Sequence, residues 1–213
     1  MKKKRYKFLS LILAICILGI LYSFFYNPCA DSKRVSTALE YCKKNDMNTR
    51  IILLCDFSQP SGTRRFMVYD TKKKKVILSS LCEQGKGGHF SNQPGSHYSS
   101  LGYYKVGYHH KMSNGIDSYT LKGLSATNSN AQNRGILIHP YFTVSKLPTY
   151  PLPLLSRASK GCFILNTKCW KGSLEETTAN RYSYMRTFDN YYKWSVIICL
   201  LIPVMITAVL LLC

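Results

Sequence analysis

Gly135-Ile136-Leu137-Ile138-His139 and Ser159-Lys160-Gly161-Cys162-Phe163 are the two stretches on which the reading of this chain turns. The apolar run Ile136 to Ile138 has the texture of a buried strand, and Pro140 biases His139 toward extended geometry at its mouth. Gly161 permits the backbone torsions of a tight turn, which can present the Cys162 thiol. A thiol needs a base to become a nucleophile, and a strand-borne histidine near a Gly-Cys turn can supply one if the chain returns beside the first strand. His139 is therefore the candidate base and Cys162 the candidate nucleophile. Ser159 can hold the imidazole or the turn, and the amides of Lys160, Gly161 and Cys162 can converge on an acyl oxyanion. Arg157 and Lys160 add positive charge that favours a thiolate. Each residue alone has a plain structural reading, as a strand histidine making a hydrogen bond or a buried thiol after a glycine turn.

Working outward, short strands alternate with turn-rich loops. Ile51 to Phe57, Arg64 to Asp70 and Val76 to Cys82 read as strands, the last two joined by the lysine turn Lys72-Lys73-Lys74-Lys75. Further strands are expected at Tyr103 to Tyr108, Ser118 to Lys122, Gly135 to His139 and Cys162 to Leu165. Gly85 to Ser100 reads as a long loop, and Pro148, Pro151 and Pro153 stiffen the loop between Pro140 and Lys160. Asp31-Ser32 would cap a helix over Lys33 to Asn45, with Val35, Leu39 and Cys42 on one face. The fold class is mainly β with one early helix.

The chain ends carry a different texture. Lys2, Lys3, Lys4, Arg5 and Lys7 precede an uncharged run over residues 8–26, long enough to span a bilayer and followed by no Ala-x-Ala cleavage site. A second uncharged run, 194–213, opens behind Tyr191, Tyr192 and Trp194. The expected organisation is a cytoplasmic basic flank at 1–7, a signal anchor at 8–26 and a helical lead-in at 27–49. A catalytic domain at 50–180, a juxtamembrane segment at 181–193 and a C-terminal transmembrane helix at 194–213 complete it. Basic residues before the first run stay cytoplasmic, so the domain between the runs is exported.

Formal net charge is +19, and all ten acidic residues fall between the two runs. Such a surface is attracted to lipid headgroups or acidic wall polymers. No nucleic-acid motif accompanies it, so nucleic acid is not an expected partner. Among nine cysteines no CxxC spacing occurs, which argues against a structural zinc site. Cys29, Cys42, Cys55, Cys82 and Cys169 can be paired or plain buried thiols. His89, His97, His109 and His110 lie in loop or turn texture. The adjacent pair His109-His110 would point to opposite faces of a strand and so share no metal.

Several motifs in order resemble the L,D-transpeptidase catalytic family, specifically its murein L,D-transpeptidase branch. They are Leu54-Cys55-Asp56-Phe57-Ser58-Gln59-Pro60-Ser61, Gly85-Lys86-Gly87-Gly88 with Phe90-Ser91-Asn92 and Gly95-Ser96, and Ser99-Ser100-Leu101-Gly102-Tyr103-Tyr104. Leu121-Lys122-Gly123-Leu124, Asn133-Arg134-Gly135-Ile136-Leu137-Ile138-His139 and Ser159-Lys160-Gly161-Cys162 follow. The resemblance implies a β-sandwich, with Cys162 as nucleophile, His139 as base and Ser159 and Gly161 as supporting positions; the flanking transmembrane helices are read from the apolar runs, and the C-terminal one is not part of the family's usual pattern. Lys160, Asn92, Ser99, Ser100, Tyr104 and Arg134 become candidates for oxyanion or substrate contacts. The implied reaction is acyl transfer on peptidoglycan stem peptides through a thioester, with no metal or organic cofactor. The acceptor is an amine on a second stem, a lipoprotein lysine or, in an L,D-carboxypeptidase, water. The implied location is the bacterial cell envelope, with the domain outside the cytoplasm and membrane lipid beside it. Pro140 and Lys160 depart from the wider family's pattern, and no arginine follows closely after Cys162. A sortase-like transpeptidase and a catalytically silent wall-binding scaffold are the rival readings.

Overall fold

The computed structural model describes residues 2–25, 30–86, 89–150, 152–154, 159–170 and 184–188. Helix α1 (Lys2–Phe25) contains Lys4–Tyr22, a 19-residue span of mean hydropathy 1.8 with none of its window buried. Among the described residues it is the one helix long and apolar enough to cross a membrane. The C-terminal run at 194–213 lies outside the described residues.

Helix α2 (Ser32–Lys44) begins where the sequence placed its cap: the Asp31 carboxylate accepts the Lys33 N–H at 3.0 Å. Its buried face, Val35, Ala38 and Cys42, packs on Ile52, Leu54 and Met67. Those residues come from strands β1 (Ile51–Asp56) and β2 (Phe66–Asp70), which pair antiparallel. The remaining strands are β3 (Lys75–Ser80), β4 (Cys82–Glu83), β5 (Gly102–Lys111), β6 (Asp117–Gly123), β7 (Leu137–Pro140), β8 (Phe163–Leu165) and β9 (Tyr184–Phe188).

The nine strands of the described residues join one continuous ladder in the order β3-β2-β1-β9-β5-β6-β7-β8-β4. Phe66 and Val68 from one end nevertheless share a single apolar cluster with Phe163 and Leu165 from the other. The sheet therefore curls over its own core, and the two layers expected of a sandwich are halves of one sheet rather than separate sheets. Tyr104 and Phe163 meet edge to face at 5.5 Å in that core, and Phe57 stacks on Phe163 at 5.8 Å. The buried Tyr104 hydroxyl donates to the Ser100 carbonyl at 2.7 Å, which satisfies it.

Strand β9 corrects the sequence reading, which held 181–193 to be juxtamembrane. It runs parallel to β1 and antiparallel to β5, so it closes the middle of the sheet and extends the folded domain past residue 180. Met185 is fully buried in the central cluster. Met185→Ala is expected to cost about 2–5 kcal/mol, read as a lower denaturant midpoint. An unchanged midpoint would remove β9 from the core.

Candidate active site

Strands β7 and β8 run parallel, with Ile138 opposite Phe163 and His139 opposite Ile164. Ile136, Ile138, Phe163 and Leu165 belong to the core cluster, so alternation turns Leu137 and His139 to the other face. Cys162, just before β8, is two residues from His139's partner. Strand spacing and rise put the Cys162 and His139 Cα atoms roughly 8 Å apart, close enough for a thiol and an imidazole to reach one another. Cys162 is half-buried and His139 buried.

The turn before Cys162 is built by one hydroxyl. Ser159 Oγ donates to the Cys162 carbonyl at 2.6 Å and accepts the Gly161 N–H at 3.1 Å. Ser159 N–H in turn points to the buried Glu83 carboxylate at 3.4 Å. Gly161 has φ +119°, and a Cβ there would lie 2.8 Å from Ile136 Cδ1 and 2.9 Å from the Tyr98 carbonyl. Ser159 thus shapes the turn and not the imidazole. The expected oxyanion nest also loses its middle member, because the Gly161 amide is committed to Ser159 Oγ.

The backbone orients both reactive groups, and no side-chain signal announces it. His139 Nδ1 lies 3.1 Å from the Pro140 carbonyl. A carbonyl can only accept, so this contact assigns the proton to Nδ1 and the basic lone pair to Nε2. The Leu137 N–H points at Cys162 Sγ at 3.4 Å, and Sγ lies 3.8 Å from the Gly135 carbonyl. Burial holds His139 below the ordinary imidazole range, opposed by its bond to Pro140. Burial raises the Cys162 thiol, with the Leu137 N–H and the Arg134 guanidinium pulling it down. The resting pair is therefore neutral imidazole and neutral thiol, and the thiol's proton has to leave as the nucleophile reacts.

The structure redistributes the other candidates. Ser99 is buried, accepts the Gly85 N–H at 2.9 Å and donates to the Gly161 carbonyl at 3.0 Å, so it braces the turn from behind. Ser100 and Tyr104 are core residues bonded to each other at 3.0 Å, and burial pushes the Tyr104 phenol up to about 12. Both are closed off from solvent. Asn92 clasps a loop through Ala126, Ser129 and Asn130. Arg134 donates to the carbonyls of Ser91 and Tyr98 and places its charge near Cys162. Lys160 is exposed beside the turn. His89 meets Tyr98 edge-on, and His97 sits at φ +60° in the same loop. His109 pairs with Asp117 at 3.1 Å on one face of β5, and His110 contacts Ser118 on the other, as their adjacency required. Among the described residues no group of three or more His, Cys, Asp or Glu is placed to hold a metal.

Cys42, Cys55, Cys82 and Cys169 are buried free thiols, and burial pushes Cys42 up to about 11 and Cys169 up to about 12. Iodoacetamide should label Cys162 before these four, with a rate rising toward alkaline pH. Equal rates for the five would contradict the site. Ser159→Ala leaves the Cys162 carbonyl without its donor and should cost about 1–3 kcal/mol, together with slower Cys162 labelling. Unchanged stability would remove Ser159 from the turn.

A family model of the L,D-transpeptidase catalytic domain matches residues 28–185. No curated protein sequence matches the chain. Among solved structures, the helical cell shape determining protein Pgp2 from Campylobacter jejuni aligns with 65% of this chain and 47% of its own length, at 16% identity and TM-score 0.46. The chain thus spans about half the length of that structure. The L,D-transpeptidase (Yku) from Stackebrandtia nassauensis aligns with 74% of this chain and 66% of its own, at 14% identity and TM-score 0.41. An L,D-transpeptidase from Xylanimonas cellulosilytica aligns with 70% and 68%, at 8% identity and TM-score 0.39.

Proposed function

The chain belongs to the L,D-transpeptidase catalytic domain family, and from that premise we propose that it is a cysteine acyltransferase acting on peptidoglycan stem peptides at the extracytoplasmic face of a bacterial membrane. The observation that carries this reading is His139 on β7 with Cys162 immediately before its parallel partner β8, and with Nδ1 tied to Pro140 and Nε2 left basic. The basic N-terminal residues followed by α1 support anchoring by the N-terminus.

In this mechanism the stem enters with the carbonyl of its third residue at Cys162 Sγ. His139 Nε2 takes the thiol proton as the S–C bond forms. The Leu137 N–H beside the sulfur supports the developing charge, as a preorganised donor does. The tetrahedral intermediate collapses with the terminal D-amino acid as leaving group, and its amine takes the proton back from His139. A thioester remains on Cys162. An amine of a second stem or of a lipoprotein lysine then attacks the thioester, passing its proton to His139, and the thiol is regenerated. Water in place of the amine gives a carboxypeptidase by the same steps.

Cell walls from an expressing strain should gain 3→3 crosslinks when the acceptor is an amine, or tripeptide stems when it is water. A muropeptide profile identical between wild type and Cys162→Ala would reject stems as substrate. The rate of Cys162 acylation should climb with pH through an apparent pKa below the ordinary imidazole value of ~6.5, because protonated His139 cannot accept the thiol proton. His139→Gln should lower the rate by about 10²–10⁴-fold and flatten that limb. A limb that persists in His139→Gln would assign the base elsewhere.

A further inference from the structure

The sheet face that carries His139 is covered on one side and partly open on the other. Toward β4, Ile164 is buried against Leu81 and Val144, with Tyr141 and Leu154 packed alongside. In the opposite direction Leu137 on β7 faces Thr120 on β6, and both are only half-buried. The next strand, β5, carries a bulge. Val106 opposes Leu121 and His109 opposes Tyr119, so Gly107 and Tyr108 together oppose Thr120. Counting in steps of two from the core residue Val106 would send Tyr108 and His110 into the core. The extra residue reverses that phase. Contacts on both faces agree: His109 rests on Tyr119 at 5.3 Å, whereas His110 reaches Ser118 and its ring lies 6.2 Å from that of Tyr108. A Cβ at Gly107 would lie against the Thr120 hydroxyl, which places position 107 on the Thr120 face. Tyr108 is 71% exposed.

We propose that Tyr108 and His110 form a subsite for a pyranose ring of the glycan strand from which the stem peptide hangs, an inference that rests on the acyl-transfer reading of Cys162. Two observations select this occupant. The first is length. From β8 to β5 is three strand spacings, roughly 14 Å. A three-residue acyl donor plus its lactyl link amounts to four residue equivalents, about 13–14 Å when extended. A stem acylating Cys162 and running over Leu137 and Thr120 therefore brings its sugar to Tyr108. The second is chemistry. Ser118 Oγ donates to the His110 carbonyl at 3.0 Å, so the 3.3 Å contact with His110 Nδ1 is one in which Nδ1–H donates. His110 Nε2 is then an acceptor, suited to a sugar hydroxyl and not to a carboxylate. The exposed Tyr108 ring offers the flat apolar face that the C–H side of a pyranose covers.

The test compares acylation of the full chain by a free tetrapeptide and by the same tetrapeptide on its disaccharide, followed by mass spectrometry. For wild type, kcat/KM should favour the disaccharide donor by about tenfold, expressed in KM. Tyr108→Ala should bring that ratio close to one, Tyr108→Phe should keep it, and His110→Ala should reduce it. A wild-type ratio near one, or a ratio unchanged in Tyr108→Ala and His110→Ala, would overturn the subsite while leaving the acyl-transfer reading standing. Failure of both donors to acylate Cys162 would overturn that reading, and the subsite with it.

Discussion

The register of two very short parallel strands carries most of the weight in this structure. Strand β8 has three residues and β7 four, and their pairing sets Ile138 against Phe163 and His139 against Ile164. A slip of one residue would turn His139 into the core and bring an isoleucine to its place. Hydrogen bonds along so short a ladder cannot secure the register alone. Phe163 does so, fully buried between Tyr104 and Phe57 immediately after Cys162. The aromatic core is thus what aims the thiol, because Cys162 is covalently the neighbour of a fully buried ring.

A second theme is how little of the site is made by side chains chosen for chemistry. The imidazole is oriented by the Pro140 carbonyl, the thiol is met by the Leu137 amide, and the turn is closed by Ser159 and braced by Ser99 and Glu83. Burial keeps both reactive groups neutral at rest. An exposed thiolate is open to oxidation. Under the proposed mechanism a thiol ionised only against a bound carbonyl avoids that exposure and depends on His139 as base.

Much of this was legible in the chain. The cap at Asp31, the lysine turn between β2 and β3, and the strands around His139 and Cys162 follow from local chemistry, and the structure places them within a few residues of expectation. Strand β9 was not legible: its parallel pairing with β1 joins residues far apart in the chain, and it lies in the stretch 181–193 that was read as juxtamembrane because Tyr191, Tyr192 and Trp194 follow it. Ser100 and Tyr104, offered as substrate contacts, lie in the core, because a polar side chain beside a glycine-rich loop looks the same whether it faces a groove or the core. Burial settles that question, and burial is a property of the folded sheet. The bulge at Gly107 and Tyr108 is a further case, since nothing local says that the alternation reverses there.

The central claim is that Cys162 becomes acylated by a stem peptide with loss of the terminal D-amino acid. Intact-mass measurement of the full chain mixed with a tetrapeptide stem tests it most directly. The account predicts a mass gain equal to the tripeptide acyl group, mapped to the peptide containing Cys162, sensitive to hydroxylamine and absent in Cys162→Ala. An adduct that survives in Cys162→Ala, or that maps to another residue, would contradict it.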